Sequence, residues 1–340
     1  MAGIYIHIPF CKKACTYCNF HFSTLLKSRN EFIDALLKEI RIRREYLGNQ
    51  EIETIYFGGG TPSILNIGEL KQIFEAIRSG FSIGPQAEIT LEANPDDITD
   101  VKIAEWKIAG INRLSIGVQS FFESDLRWMN RAHSSQQAID SIRLARAGGI
   151  DNLTIDLIFG TPGLTDDQWR ENMETAVNEG VQHLSCYALT VEPHTALDHQ
   201  IKKQLVPEID SEQQARQFLI MADFLESKQF EQYEISNFAL PGFRSRHNSS
   251  YWKGIHYLGL GPSAHSFNGK QRSWNIANNA LYIQSLSTGL LNSETEELSE
   301  SMKLNEYLMT ALRTIEGISL ADIESRFGLL RRIEIEEKSS

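Results

Sequence analysis

Three of the four cysteines in this chain, Cys11, Cys15 and Cys18, fall within eight residues. Their spacing, three residues and then two, lets one short loop bring three thiols around a single inorganic centre. Thiolate is the soft ligand that iron–sulfur clusters and zinc both select. Three cysteines would leave one iron of a four-iron cluster without a protein ligand, so that this iron could bind a substrate or cofactor. The loop therefore predicts a scaffold built around a metal centre.

Two other interpretations of the loop are weaker. His21 could complete a Cys3His zinc site, but structural zinc usually stabilises domains too small to fold alone, and this chain has 340 residues. A disulfide is disfavoured because no secretory signal is found, which indicates a reducing, cytoplasmic compartment. The isolated Cys186 is interpreted as a small buried hydrophobe.

Composition narrows the classes of function. Hydrophobic residues make up 41% of the chain and charged residues 23%, as in ordinary globular proteins. The formal net charge of −11 disfavours nucleic acid as a partner, because phosphates would be repelled. No apolar run reaches about 18 residues, so we expect no membrane span. Peripheral contact with a membrane stays open.

Strand-like and helix-like segments alternate through the first two thirds of the chain, which is the pattern of parallel βα units. The predicted strands are 5–8, 54–57, 88–92, 113–118, 152–159 and 183–189. The predicted covering helices are 31–46, 66–77, 100–109, 134–147, 165–179 and 211–228. Six such units predict an α/β fold with a partial (βα)6 barrel. The site of such a barrel lies at the carboxyl ends of its strands.

The pattern changes beyond residue 228. Strand-like segments at 230–238, 255–260 and 271–276 predict a β extension of the sheet or a small antiparallel cap, and the chain then becomes helical at 299–315 and 319–327. We therefore divide the chain into a barrel with the cluster loop (1–228), a β-rich extension or cap (229–280) and a C-terminal helical region (281–340). The charged end of the last region suggests a shortened or altered terminus.

With Tyr17 just before the third cysteine, the loop resembles the cluster loop of the radical S-adenosylmethionine (SAM) superfamily. The longer string IYIHIPFCKKACTYCNFHF resembles the branch that contains the oxygen-independent coproporphyrinogen III dehydrogenase and the radical SAM haem chaperones. This resemblance implies that the three cysteines hold a [4Fe-4S] cluster. It also implies that the fourth iron binds SAM through the amino and carboxylate groups of the cofactor.

Further motifs at the predicted strand ends resemble SAM-binding segments of the superfamily, namely GGGTP, EANP, GVQS, the Asn130-Arg131 pair and DLIFGTP. Alone, such residues are more typical of turns and helix caps, so their roles come from the resemblance. Carboxylates suit ribose hydroxyls or an amino group, and an arginine suits a carboxylate. The residues implied to line the cofactor are Tyr5, Tyr17, Gly59, Gly60, Thr61, Glu92, Gln119, Arg131, Asp156 and Ala188.

The segment from His247 to Trp252, HNSSYW, is a second candidate for chemistry. Histidine is a common axial ligand of haem, and aromatic neighbours could stack on a porphyrin. A histidine bonded to backbone is the simpler interpretation of the bare motif. H-N-x-x-Y resembles the motif of the haem-chaperone branch, however, which implies that His247 holds haem.

Two departures from the dehydrogenase favour the chaperone branch. Phe20 stands where that enzyme has an additional cysteine, and only ten residues precede Cys11, where the enzyme has a substantial segment. The expected function is therefore haem binding and transfer to an acceptor haemoprotein, with respiratory enzymes among the candidates, under control of the cluster and SAM. The alternatives are radical oxidative decarboxylation of coproporphyrinogen III to protoporphyrinogen IX and a zinc-stabilised structural protein. Whether SAM is cleaved, and hence whether the chain is an enzyme, stays open.

Overall fold

The first strand shows how the sheet is built. In β1 (Ala2–Ile8), Ile4, Ile6 and Ile8 are fully buried in the main hydrophobic core. Tyr5 and His7 alternate with them and therefore lie on the opposite face of the sheet. One face of the strand packs on helices, and the other faces a polar barrel interior.

The computed structural model describes residues 1–339, and its first two thirds contain the six predicted βα units. The parallel strands are β1, β2 (Ile52–Gly59), β3 (Ile83–Ala93), β4 (Arg113–Gln119), β5 (Asn152–Phe159) and β6 (His183–Ala188). The helices are α1 (Arg29–Ile42), α2 (Ile67–Gly80), α3 (Asp100–Ala109), α4 (Glu123–Trp128), α5 (Ser135–Ala147), α6 (Asp166–Asn178), α7 (Ala196–Lys202) and α8 (Ser211–Ser227). The predicted partial (βα)6 barrel is confirmed.

Local sequence signals set where several of these helices begin. α2, α5 and α6 each start with a capping box, in which the side chains of the N-cap residue and of the third helical residue bond reciprocally to backbone N–H groups. The N-caps are Asn66, Ser134 and Thr165. Asp210 caps α8 by accepting from two backbone N–H groups. These caps explain why the helix starts were predictable.

The later part of the chain extends both edges of this sheet. Its elements are β7 (Glu231–Gln232), β8 (Asn237–Ala239), α9 (Arg246–Trp252), β9 (His256–Leu260), β10 (His265–Phe267), β11 (Gln271–Asn275), α10 (Asn279–Ser287), β12 (Ser293–Glu297), α11 (Glu300–Ala311), α12 (Leu320–Phe327) and α13 (Leu329–Ser339). Among the described residues the strand order is β12-β11-β10-β9-β1-β2-β3-β4-β5-β6-β8-β7. β9 runs parallel to β1 and β8 antiparallel to β6, so the barrel does not close on itself.

Some sequence predictions for this part were wrong in detail. The single strand predicted at 230–238 is two short strands, β7 and β8, which pair with each other at the β6 edge. Strand β12 was not predicted, and the HNSSYW segment forms helix α9. The segment 229–280 thus contributes to both edges of one sheet, and its treatment as a separate region stays a prediction. Within residues 1–339, every helix is too short or too polar to cross a bilayer.

Candidate functional site

A cavity of about 460 Å³ opens at the carboxyl ends of the parallel strands, where sequence patterns predicted a site. We call it the barrel-mouth cavity. Cys11, Cys15 and Cys18 line it. So do nine of the ten residues predicted to contact SAM, namely Tyr17, Gly59, Gly60, Thr61, Glu92, Gln119, Arg131, Asp156 and Ala188. Tyr5 lies deeper in the barrel, with its hydroxyl 3.2 Å from His7 Nδ1.

Backbone contacts hold the cysteine loop across the barrel mouth. The loop is closed at its base, where the Cys11 N–H donates to the Ser23 carbonyl at 3.0 Å. Its middle is tied to the end of α4, because the Thr16 N–H donates to the Met129 carbonyl at 3.2 Å. The Asn130 side chain donates to the Ala14 carbonyl at 2.7 Å. The loop is therefore folded by the protein itself, which positions the cysteines for a ligand.

Two neighbouring donors point at the thiols. Thr61 Oγ1 donates to Cys11 Sγ at 3.4 Å, and Arg131 Nη1 donates to Cys15 Sγ at 3.2 Å. Burial raises the pKa of Cys11 and raises the pKa of Cys18 to about 11. The Cys11 and Cys18 thiols are therefore protonated near neutral pH, and iron binding would release those protons. Three free cysteines facing one cavity fit the donor set of a cluster with one open iron.

The zinc interpretation fits less well. His21 Nε2 lies 2.7 Å from Asn279 Oδ1 on α10, so this ring nitrogen is already engaged. Within the described part of the chain, no three His, Cys, Asp or Glu side chains are arranged to hold one metal ion. Cluster cysteines bind different irons and need not converge on a single point. The geometry therefore favours a cluster over a Cys3His zinc site.

The glycine run at the end of β2 allows close approach to neighbouring segments of the chain. A Cβ at Gly60 would lie 2.7 Å from the Phe10 carbonyl oxygen, and a Cβ at Gly59 would lie 2.5 Å from His7 Nδ1. Gly59 also has a φ of +106°, which other residues rarely adopt. Gly60 lets the chain lie against Phe10 at the base of the cysteine loop, and Gly59 leaves room for the His7 side chain on β1. Their contact with SAM stays a prediction.

Two carboxyl groups with raised pKa values face the cavity. Glu92 accepts from the Tyr56 hydroxyl at 2.8 Å and from the Gly59 N–H at 3.2 Å. Burial, together with the nearby charge of Asp156, raises the pKa of Glu92 to about 7. Burial raises the pKa of Asp156 to about 6, although the Arg113 guanidinium opposes this shift. The surrounding residues do not fully offset the cost of burying these two carboxylate charges. A ligand with positive charge or hydroxyl donors would therefore be favoured here.

Arg131 supplies the opposite charge. Its Nη2 donates to Asn94 Oδ1 at 2.8 Å and to the Gly117 carbonyl at 2.7 Å, which fixes the guanidinium. Its Nε is buried and has no hydrogen-bond partner among the described residues. An unsatisfied buried donor beside the cysteines suits an anionic group of a ligand. Gln119, close by, has a φ of +68°, an uncommon conformation that occurs at functional turns.

Gly117 lies within the GVQS motif, but sequence reasoning assigned no role to Ser115, Tyr187 or Glu192, which also line the cavity. The alternation of strand side chains points to Ser115, which stands two positions before Gly117, and Tyr187 pairs with Ile158 on the neighbouring strand. Glu192 lies in the loop after β6, and no sequence signal points to it.

The structure places His247 away from this cavity, in the floor of the barrel. Its Nδ1 lies 2.8 Å from Thr54 Oγ1 and its Nε2 2.9 Å from the Tyr251 hydroxyl, so both ring nitrogens are engaged. The ring stacks on Tyr56 with centroids 5.0 Å apart. Burial lowers the pKa of His247 to about 3. Haem ligation by His247 stays a prediction, and it requires the ring to be released from one of these partners.

Helix α9 is held in place by a buried carboxylate. The Glu88 side chain, in the middle of β3, accepts from the backbone N–H groups of Arg246 and His247 at 3.1 and 3.0 Å. A carboxylate at a helix N-terminus satisfies donors that have no partner within the helix. This contact fixes α9 across the amino-terminal end of the barrel.

Comparison with known proteins agrees with this geometry. The sequence model of the Radical SAM superfamily matches residues 5–176. The fold and the cysteine loop thus define a radical SAM protein. The proteins named Heme chaperone HemW from Bacillus subtilis and from Mycobacterium tuberculosis H37Rv are each 34% identical to this chain. The alignments cover 96% and 94% of the chain and 87% and 83% of those proteins, respectively. The chain therefore belongs to the HemW family.

A solved structure shows the same fold. Coproporphyrinogen III oxidase (HemN) from Escherichia coli, a radical SAM enzyme, superposes with a TM-score of 0.86. The match covers 99% of this chain and 81% of that one at 24% sequence identity. At this identity the likeness concerns the architecture, an α/β fold with an open mixed sheet.

Proposed function

We propose that this chain binds haem and transfers it to an acceptor haemoprotein, and that it carries a [4Fe-4S] cluster and SAM in the barrel-mouth cavity. The observation that supports the proposal most is the likeness to the HemW proteins over nearly the whole chain. The acceptor, with respiratory enzymes among the candidates, and the cytoplasmic location are predictions of the same proposal.

The residues of the cavity fit the cofactors. Cys11, Cys15 and Cys18 would hold three irons, and the bound cluster with SAM would supply the one-electron chemistry of the superfamily. Arg131 would pair with the SAM carboxylate through its guanidinium, which lines the cavity. Glu92 and Asp156 would accept from ribose hydroxyls or the amino group. Tyr17 and Ala188 would complete the walls around the ligand.

The dehydrogenase alternative is not favoured. Phe20 replaces the additional cysteine of that enzyme, and its ring is 67% exposed at the rim of the cavity. The similar solved enzyme supports only a common fold. Formation of decarboxylated porphyrinogen by anaerobically reconstituted protein would nevertheless reverse this ranking.

The proposal is tested by anaerobic haem titration of the reconstituted full chain, followed by the Soret band, together with iron and sulfide analysis and transfer to an apo-haemoprotein. Stoichiometric binding and transfer are expected. If His247 contributes to the haem site, His247→Ala weakens haem binding and leaves the iron and sulfide contents unchanged. His265→Ala is the matched control, because this histidine is exposed on β10. Absence of haem binding by a protein with an intact cluster would overturn the proposal.

A further inference from the structure

A second cavity, of about 690 Å³, lies between helix α9, the β9–β10 hairpin and helices α11 and α12. We call it the aromatic cleft. His256, at the start of β9, lines the cleft and pairs with Ala2 at the start of β1. The cleft therefore lies at the amino ends of these strands, opposite to the barrel mouth. The residues that line it are Tyr251, Trp252, Lys253, Gly254, His256, Tyr257, Phe267, Gly269, Arg272, Lys303, Glu306, Tyr307, Met309, Thr310 and Arg326.

The walls of this cleft suit a flat aromatic ligand. Tyr257 contacts Tyr251 edge to face, with centroids 4.7 Å apart, and lies 6.3 Å from the Phe267 ring. Trp252 and Tyr307 add further ring surface. Rings in such an array offer both faces and edges to a planar molecule. The volume lies within the range of about 300–1,000 Å³ that is typical of small-molecule sites.

The charge of the cleft is opposite to that of the whole chain. Four cations, Lys253, Arg272, Lys303 and Arg326, line it against one carboxylate, Glu306. Glu306 is paired with Arg272 through contacts of 2.8 and 2.9 Å, and Lys303 donates to Glu300 at 3.1 Å, so the excess of positive charge comes from Lys253 and Arg326. The chain as a whole has a formal net charge of −11. An excess of cations on an acidic protein attracts an anionic ligand such as a carboxylate-bearing macrocycle.

His256 offers an iron ligand in the same cleft. Gln50 Nε2 lies 2.8 Å from His256 Nδ1, and a half turn of this amide would let its oxygen accept from Nδ1–H. Nε2 has no hydrogen-bond partner among the described residues, so its lone pair could then bind a metal. A Cβ at Gly269 would lie 2.6 Å from His256 Nε2, so the missing side chain keeps the space beside this nitrogen open.

The HNSSYW segment borders the cleft through Tyr251 and Trp252, whereas His247 points inward. His247 anchors Tyr251 through the 2.9 Å contact with its hydroxyl. The same histidine stacks on Tyr56, whose hydroxyl donates to Glu92 in the barrel-mouth cavity. A continuous series of buried contacts thus joins the two cavities. His247 is a positioning residue for the wall of the cleft in this arrangement.

We infer that the aromatic cleft is the haem site, with His256 Nε2 as the axial ligand of iron and the cationic rim as the partner of the propionates. This inference rests on the proposed haem function. The sequence-based hypothesis assigns the axial ligand of iron to His247, whereas this inference assigns it to His256. The reason is that both ring nitrogens of His247 are already engaged.

The test is a ferric haem titration of the full chain, followed by the Soret band and by magnetic circular dichroism as a signature of histidine ligation. His256→Ala is expected to lose that signature and to bind haem about ten-fold or more weakly. Added imidazole should restore the signature in this variant. His265→Ala, outside the cleft, should behave as wild type. Haem dimethyl ester, which lacks the propionate charges, should bind more weakly than haem to wild type.

A second variant pair separates cleft filling from backbone strain. Gly269→Ala places a methyl group beside His256 Nε2, whereas Gly289→Ala strains a backbone of similar φ, +78° against +84°, with nothing within 4 Å of the new Cβ. Only Gly269→Ala should weaken haem binding. If wild type binds haem and His256→Ala keeps the histidine signature and the affinity, the inference is wrong while the haem function stands. If wild type binds no haem, the proposed function itself fails.

Discussion

The two cavities differ in how they are assembled and in the charge they present. The barrel-mouth cavity combines three thiols with the carboxyl groups of Glu92 and Asp156. The aromatic cleft combines tyrosine, tryptophan and phenylalanine rings with four cations. The first suits a small ligand with positive charge and hydroxyl groups, and the second suits a flat anionic one. The comparison indicates that one sheet can separate two unlike ligands by placing their sites at opposite ends of its strands.

The floor between the cavities is the part they share. His247, Tyr56 and Thr54 form its centre, and Arg113 is buried below Asp156 with a hydrogen bond to Thr154. Burial lowers the pKa of His247 and raises the pKa of Asp156, and the Arg113 charge adds to the first shift and opposes the second. The two cavities are therefore connected by buried contacts.

The largest effect is expected from removing the three thiols of the barrel-mouth cavity, which should change iron and sulfide content but not haem affinity. Replacing Cys11, Cys15 and Cys18 together by serine should remove nearly all iron and sulfide after reconstitution, because serine is a hard ligand that iron–sulfur clusters do not select. Haem affinity should stay within about two-fold, since the cleft does not include these residues. Iron and sulfide analysis and a haem titration measure both. Cys186→Ser, buried on β6, is the control and should keep its cluster.

A loss of haem binding in the triple variant would contradict the separation of the sites. It would place haem at or near the barrel mouth and remove the basis for the comparison.

An intermediate effect is expected from Glu92→Gln. The folded-state pKa of Glu92, about 7, lies above its ordinary value of 4.5, so the ionised form destabilises the fold above pH 7. The unfolding free energy of the cofactor-free variant should therefore exceed that of wild type by about 1–3 kcal/mol at pH 8. The difference should shrink as pH falls from 7 towards 4.5, where folded wild type is protonated. Denaturation at pH 8 and pH 5 measures it.

The same change should weaken SAM binding about ten-fold or more in the reconstituted protein, because a ligand with positive charge loses its anionic partner. Glu39→Gln provides the control, since Glu39 is also buried but bonds to Gly261, Asn275 and Tyr282 outside the cavity. An unchanged SAM affinity in Glu92→Gln would show that the acidic side of the cavity does not contact this ligand.

The smallest effect concerns the link between the sites. Tyr251→Phe keeps the aromatic wall of the cleft but leaves His247 Nε2 without its partner, which should cost about 1–2 kcal/mol of folding stability. Tyr46→Phe is the matched control, because the buried Tyr46 hydroxyl has no partner among the described residues. Haem affinity should change by less than about three-fold in Tyr251→Phe. A larger loss would mean that the hydroxyl itself contacts haem.

Much of the barrel could be predicted because its signals are local. Alternating apolar residues, helix caps such as Thr165, and polar residues at strand ends all depend on neighbours close in the chain. The cysteine loop and the motifs that line the barrel mouth were therefore identified together, and the parallel arrangement of strands brings them to one cavity. The SAM and cluster roles of these residues stay predictions.

The errors arose where distant segments decide the structure. The 230–238 segment has strand-like composition, yet only pairing with β6 determines that it splits into β7 and β8. HNSSYW showed no helical period over its short length, and α9 forms because Ser245 caps it and Glu88 holds its N-terminus. The Ser245 cap is a local signal, whereas the Glu88 contact and the pairing with β6 come from distant segments and cannot be inferred from neighbouring residues.

The sequence by itself determined the order of the βα units, the close spacing of the three cysteines in the first loop and the family, because each depends on residue type at short spacing. Tertiary structure alone decided that His247 is enclosed between Thr54 and Tyr251 while His256 faces an open cleft. The two histidines are nine positions apart and chemically identical. Their difference comes from burial and from partners contributed by strands far away in the chain, which spacing in a sequence does not encode.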